Sequence, residues 1–205
     1  MTARLRTRNR QAGVNVVELT VVVALLGVVL AIAFQGLHSY QRAAGASEAR
    51  IRSLEEARTM MAVLTKDLRT ATGFTSSLSA SSAPRDVTFT ANLNTAANAP
   101  ENQVRLYVDA QEQLREDIRP PDTPVTSPPT YTGAWTSRII GQSVVPGTPL
   151  FTYLDADGGS TTDPAAVVSV DVTVSVAVPS ATPAPETTLT SRVFLPNLAV
   201  TAEEE

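Results

Sequence analysis

A single glutamate interrupts the most apolar stretch of this 205-residue chain, GVNVVELTVVVALLGVVLAIAF at residues 13–34. Glu18 lies five residues after Gly13, and nearly every residue that follows it in the stretch is apolar. A carboxylate is costly inside a lipid bilayer, and a charge within a membrane span usually has a function. Two interpretations follow: Glu18 has a functional role within the span, or it lies at the edge of the span and reaches the headgroups.

A second set of carboxylates lies close together in LDADGGSTTDP, residues 154–164. Asp155, Asp157 and Asp163 make a weak candidate calcium site, because hard cations bind clustered carboxylates on flexible loops. The spacing differs from that of an EF-hand, since Gly158 falls at position four of the loop and Ala166 at position twelve. The favoured alternative is a turn between two strands, built on the Asp-Gly pair.

Residues that would support catalysis are sparse. His38 is the only histidine and follows the apolar run directly, so a Ser-His-Asp or histidine–metal site would have to form at a membrane surface. The sequence has no cysteine and no G-x-S-x-G, Walker or H-E-x-x-H motif. Four aromatic residues in candidate strands could line a ligand patch, but alternating aromatics more often pack in a core: Tyr107, Trp135, Phe151 and Tyr153. We therefore expect a non-catalytic protein with no cofactor other than, at most, calcium.

The apolar run is long enough to cross a membrane once. At about 1.5 Å per residue, a helix over residues 14–35 spans a bilayer core of roughly 30 Å. Four arginines and no acidic residue precede it within residues 1–13, which predicts a cytoplasmic amino end and an exported remainder. A cleaved secretory signal is disfavoured, because the A-x-A pattern at Ala31 and Ala33 lies inside the apolar run and is followed at once by Phe34.

The helix is predicted to continue well beyond the span. No proline occurs before Pro84, so residues 36–73 are assigned to an amphipathic second half that ends at Gly73. Apolar residues there recur at helical spacing and predict one buried stripe: Ile51, Leu54, Met61, Leu64 and Leu68. A stripe of this kind requires a domain to cover it.

Residues 74–198 are predicted to form that domain as a β-rich unit. Seven runs rich in valine, threonine and aromatic residues indicate strands: residues 87–93, 104–109, 113–118, 135–145, 150–154, 167–178 and 189–195. In the clearest run, every second residue from Val168 to Val178 is valine and predicts a buried face, whereas Ser169 to Ser175 predict a solvated one. The predicted fold is α+β, with a long N-terminal helix on one antiparallel sheet, and residues 199–205 form an acidic tail.

The charge balance argues against nucleic acid as a partner. The chain carries 16 basic and 20 acidic residues, and removal of residues 1–13 leaves 12 basic ones, a formal charge of −8. Such a surface repels phosphates unless a basic patch is present.

The features around Glu18 together resemble the type IV pilin and pseudopilin family: a short basic leader ending in glycine, a glutamate five residues later, an apolar span, an amphipathic helix and a β-rich domain. The resemblance implies cleavage by a prepilin peptidase between Gly13 and Val14, N-methylation of Val14, and a role for Glu18 in assembly. Val14 departs from the usual phenylalanine. The stretches ARTMMAVLTKDLRTAT, PLFTYLDADG and VFLPN look like those of minor pilins of the PilW-like kind and J-type pseudopilins.

The resemblance implies a structural subunit of a type IV pilus or a type II secretion-like filament, without catalytic activity. Its expected partners are the prepilin peptidase, other pilins or pseudopilins, the inner-membrane assembly platform and the membrane itself. Its expected location is the cytoplasmic (inner) membrane, followed by a periplasmic or cell-surface filament. Two alternatives stay open: a binding module at a filament tip, and a membrane-anchored enzyme.

Overall fold

The chain combines a long N-terminal helix with an antiparallel β domain, which confirms the α+β class. The computed structural model describes residues 16–75, 78, 84–93, 100–123, 125, 128–179 and 186–199. The predicted leader, Gly13, Val14 and residues 200–205 of the acidic tail lie outside the described residues. The elements are α1 (Val16–Arg69), β1 (Ala71–Phe74), β2 (Asp86–Ala91), β3 (Asn102–Val108), β4 (Leu114–Arg119), β5 (Thr136–Gly141), β6 (Phe151–Leu154), a 3-10 turn (Pro164–Ala166), β7 (Ser169–Val176), β8 (Thr187–Phe194) and α2 (Pro196–Ala199).

The chain divides into two compact units, Met1–Ala44 and Gly45–Glu205, and the boundary falls within α1. In the first unit the described residues are helical, and their large apolar side chains are exposed. The second unit contains the rest of α1, all eight strands and α2.

The strands form two sheets instead of the single predicted sheet. All seven predicted strands are present, with boundaries shifted by up to a few residues, and β1 is an additional strand. A five-stranded antiparallel meander has the order β1-β2-β3-β4-β5, and a three-stranded antiparallel sheet has the order β6-β7-β8. Apolar residues of both sheets and of α1 join in one core that includes Phe89, Leu106, Phe151 and Val172.

The buried stripe of α1 differs from the predicted one in its first half. Ala49, Ser53 and Ala57 are buried there, whereas the predicted Ile51 is 55% exposed. Leu64 and Leu68 are buried as predicted, and Leu54 and Met61 lie half-buried beside the stripe. The prediction of Ile51 was wrong because it ranked residues by hydrophobicity: small side chains let the helix approach closely, and the Ser53 hydroxyl accepts a hydrogen bond from the Val178 N–H at 3.2 Å.

Helix α1 ends earlier than Gly73. Both the amide and the hydroxyl of Thr70 donate to the carbonyl of Asp67, at 3.1 and 2.7 Å, and close the last turn. Ala71–Phe74 then pair with β2. Gly73 is therefore a strand residue, and the prediction of it as a helix-ending glycine was wrong. The residues around it, Thr70, Thr72 and Phe74, have stronger strand than helix preference.

The two faces of β7 are less distinct than the alternation predicted. Val170, Val172, Val174 and Val176 are buried, which confirms the centre of the valine face, whereas Val168 and Val178 are half-buried. The predicted solvated face is wrong at its two ends, because Ser169 and Ser175 are also buried. Ser175 makes a hydroxyl hydrogen bond with Thr188 at 2.8 Å, and its carbonyl accepts from the Val145 N–H.

A close contact between α1 and the meander provides a test of this packing. A Cβ added to Gly141 would lie 2.2 Å from Cε and 2.6 Å from Cγ of Met60, which is fully buried. Gly141→Ala should therefore lower the free energy of unfolding by about 1–3 kcal/mol, as overpacking does. Urea denaturation of the full chain in detergent would measure this. Gly133→Ala is the matched control, because a Cβ there meets nothing within 4 Å; equal stability of the two variants would contradict the placement of Met60.

Candidate functional site

The first part of α1 is a candidate membrane-spanning surface. It is the one helix in the described residues that is long and apolar enough to cross a bilayer, and none of its most apolar window is buried within the protein. Large apolar side chains are exposed all around it, from Val16 at 77% to Phe34 at 66%. A helix that is apolar on every side requires an apolar environment on every side, either lipid or other apolar helices.

Glu18 lies in the first turn of this helix and is exposed. Its negative charge is favourable at the positive end of the helix dipole. No ion pair in the described part of the chain engages Glu18. Thr20, two residues later, satisfies its hydroxyl within the helix by donating to the Val16 carbonyl at 2.5 Å. The one charged group in this apolar segment therefore has its carboxylate directed outward, available to a partner.

The Asp155–Asp163 loop uses its carboxylates for turn geometry. Asp155 Oδ1 accepts from the amides of Asp157 and Gly159, at 3.1 and 2.8 Å, and Gly158 has the positive φ of +80° that a tight turn needs. Asp163 Oδ1 accepts from Ala165 N at 3.0 Å and so caps the 3-10 turn. Among the described residues, no group of three His, Cys, Asp or Glu side chains is placed to hold a metal ion. The turn interpretation accounts for Asp155 and Asp163, and the calcium hypothesis gains no support.

The remaining sequence candidates are His38 and the four aromatic residues. His38 is exposed on α1 in the first unit. Phe151 and Tyr153 are buried in the core, as predicted. Tyr107 and Trp135 are half-buried instead, and arginine side chains cover their rings: Arg105 lies 4.5 Å from the centre of Tyr107, and Arg119 lies 4.2 Å from that of Trp135. The aromatic residues therefore do not converge on one patch.

A buried carboxyl pair links α1 to β4, and sequence reasoning missed it. Asp67 is 2% exposed and Glu116 is 1% exposed. Arg138 on β5 forms an ion pair with Glu116 and extends into solvent. The signal was present in the sequence, since Asp67 lies three residues after Leu64 and seven after Met60 on the helix, and Glu116 shares one face of β4 with Leu114 and Ile118.

The environment of Asp67 favours the protonated form of its carboxyl group. Burial and then the neighbouring charge of Glu116 raise the pKa of Asp67 from its usual 3.8 to about 7, against smaller opposing effects of Arg138 and Lys66. Ionised Asp67 leaves Oδ2 buried without a hydrogen-bond partner, whereas the protonated acid can donate to Glu116. The pair can thus store one proton at the interface between helix and meander near neutral pH.

Comparison with known proteins leaves the family open. No family model, no curated protein and no solved structure matches this chain. Any assignment of function therefore depends on the residues and geometry described above.

Removal of the Asp67 carboxyl should change how stability depends on pH. Because its folded pKa lies above its ordinary value, the folded state retains a proton that the unfolded state releases, so this stabilisation is complete below about pH 3.8 and is lost as pH rises through about 7. Asp67→Asn should therefore gain stability relative to wild type between pH 5 and 8, by on the order of 1 kcal/mol. Denaturation of both proteins across this range would measure it. Asp157→Asn, at an exposed position, is the control; an unchanged pH slope in Asp67→Asn would contradict the assignment.

Proposed function

We propose that this chain is a non-catalytic structural subunit, a minor pilin or pseudopilin, of a type IV pilus or a type II secretion-like filament. The observation that carries the proposal is the division of α1. Its first part presents apolar side chains on all sides and one outward carboxylate, and its second part packs into a β domain. A subunit of this form can lie in a membrane before assembly and bury the same helix among neighbouring helices afterwards.

The length of the helix supports the proposal. Helix α1 runs for 54 residues from Val16 to Arg69, far more than the roughly 20 residues that a membrane span needs. An anchor alone would require only the apolar part. The same helix continues into the core of the domain, where Leu64 and Leu68 are buried, so it supplies both the apolar segment and part of the core.

The proposal gives Glu18 a specific partner. Cleavage between Gly13 and Val14 would create an ammonium group on Val14, four residues before Glu18, and four residues of a regular helix span about 6 Å. In a staggered helix bundle, the carboxylate of one subunit would meet the ammonium group of a neighbour. Because paired charges in lipid cost far less than separate ones, docking onto the filament would satisfy a carboxylate that has no ion pair among the described residues.

The proposed topology follows from the arginines that precede the apolar segment. Arginines at positions 4, 6, 8 and 10 would hold the leader in the cytoplasm, and the β domain would be exported from the inner membrane. The proposed partners are the prepilin peptidase, the other subunits of the filament and the membrane-embedded assembly platform. Nucleic acid is not among them, given the acidic mature chain.

Processing is the most direct test of this proposal. In cells that contain a prepilin peptidase, the chain should lose residues 1–13, and Gly13→Ala should slow the cleavage because the peptidase must approach the backbone closely at the cut. Mass spectrometry of membrane-extracted protein would measure the mature start. Gly27→Ala is the control, because a Cβ there meets nothing within 4 Å. A mature protein that begins at Met1, or after Ala33, would contradict the proposal.

Glu18 should affect assembly but not insertion. Glu18→Gln should be inserted and cleaved like the wild type, yet its ratio of filament to membrane protein should fall about tenfold, as loss of roughly 1.4 kcal/mol of pairing energy would produce. Immunoblots of sheared filaments and membranes would measure the ratio. Glu48→Gln, an exposed change on the same helix, is the control. Equal incorporation of Glu18→Gln would mean that Glu18 only reaches the headgroups.

A further inference from the structure

Two adjoining clefts run between the second part of α1 and strand β8. One, of about 490 Å³, is lined by α1 residues from Arg58 to Arg69 and by Leu189. The other, of about 280 Å³, is lined by Arg50 and Leu54 of α1 and by residues Glu186, Thr187 and Thr188. We call the surface formed by the residues that line these two clefts the α1–β8 groove. Its residues belong to one compact unit.

One wall of the groove is an unpaired sheet edge. Strand β8 lies at the end of the β6-β7-β8 sheet and pairs with β7 along all eight of its residues. Among the described residues, no backbone hydrogen bond reaches its other side. An exposed edge of this length is a template for one more strand.

The register identifies the backbone groups that face outward. The Leu195 amide donates to the Val168 carbonyl just before β7, and in the antiparallel pattern that follows, Val170, Val172 and Val174 direct their backbone groups toward β8. The Thr173 amide donates to Leu150 on the opposite side and fits the same alternation. On β8, alternate residues therefore bond to β7, and the intervening ones direct their amides and carbonyls to the free edge: Thr188, Thr190, Arg192 and Phe194.

The helical wall is basic above an apolar floor. Leu54, Met61 and Leu189 are half-buried and form the floor. Arg58, Lys66 and Arg69 line the larger cleft, and none of them takes part in an ion pair within the described residues. The only acidic side chain among the lining residues is Glu186, at the far end of the smaller cleft. Unpaired cations in an otherwise acidic chain favour an acidic ligand.

We propose that the α1–β8 groove binds an extended, acidic segment of a partner protein by strand addition to β8. Backbone hydrogen bonds to the free edge align the bound segment with β8. Apolar side chains on one face of the segment contact the floor of the groove, and its acidic side chains reach the basic wall. This binding surface is independent of the proposed filament role, because it requires neither cleavage after Gly13 nor a partner for Glu18.

A labelled peptide provides the test. The probe is a fluorescein-labelled peptide of about nine alternating valine and glutamate residues, the length of a typical strand. Its binding to the full chain in detergent micelles is followed by fluorescence anisotropy at low salt. Two matched peptides accompany it: one with lysine in place of glutamate, and one with alternate backbone amides methylated so that it cannot donate to an edge. The acidic peptide should bind, and both matched peptides should bind at least about tenfold more weakly.

Variants of the basic wall test whether the acidic peptide binds in this groove or elsewhere on the protein. The double change Arg58→Glu with Lys66→Glu should weaken binding of the acidic peptide about tenfold, since several favourable pairs become repulsive. Arg52→Glu reverses an exposed charge on α1 that is already paired with Glu48, and should leave binding unchanged. Thermal unfolding of each variant confirms that the domain remains folded.

Three outcomes would overturn the proposal. Equal binding of the lysine peptide would show that charge does not select the ligand. Equal binding of the methylated peptide would show that no strand is added. If removal of residues 200–205 raised the affinity for the acidic peptide, the acidic tail of the chain itself would be the occupant of the groove, not a partner.

Discussion

Burial of one stripe of α1 is the constraint on which the second unit depends. Met60 packs against Gly141 in the meander, and Ser53 accepts a hydrogen bond from Val178 at the end of β7, so the same helix is fastened to both sheets. Glu56 adds a third attachment by accepting the Gln142 amide at 2.5 Å. A small sheet such as β6-β7-β8 needs a hydrophobic face that is covered, and α1 supplies part of that cover. The stripe begins with small residues because close approach requires them.

Two carboxyl groups on α1, those of Glu18 and Asp67, differ in burial and therefore in their properties. Glu18 is exposed at the beginning of the apolar part, whereas Asp67 is buried near the end, beside Glu116. The burial of Asp67 among apolar residues raises its pKa, and Glu116 raises it further. Glu116 retains its charge partner in Arg138, which reaches solvent. The buried Asp67 carboxyl at the helix–sheet interface and the exposed Glu18 carboxylate in the apolar part are separate features with separate consequences.

Helix α1 also has to suit two environments with one continuous backbone. Its first part lacks a polar face, so it is compatible with lipid or with neighbouring apolar helices; its second part has one buried stripe and an otherwise polar surface. The proposed filament role uses the first part, and the proposed peptide groove uses the side of the second part that the core leaves free. The basic row from Arg58 to Arg69 lies beside an unpaired strand edge because β8 ends its sheet.

Periodicity in the sequence was sufficient to predict the α+β class, the membrane-length apolar helix and seven strands, because each depends on local patterns of apolar residues. The position of Glu18 as the one charge in the apolar helix and the turn at Asp155 could also be predicted, since both depend on residues close in the chain. Only the tertiary structure decided what long-range contacts determine. It divided the strands between two sheets, exposed Ile51 while burying Ala49, Ser53 and Ala57, and ended α1 at Arg69 so that β1 could pair with β2. It also buried Asp67 against Glu116, 49 residues away in the chain. A helical or alternating pattern identifies which residues share a face, but which face is covered, and by what, depends on partners distant in sequence.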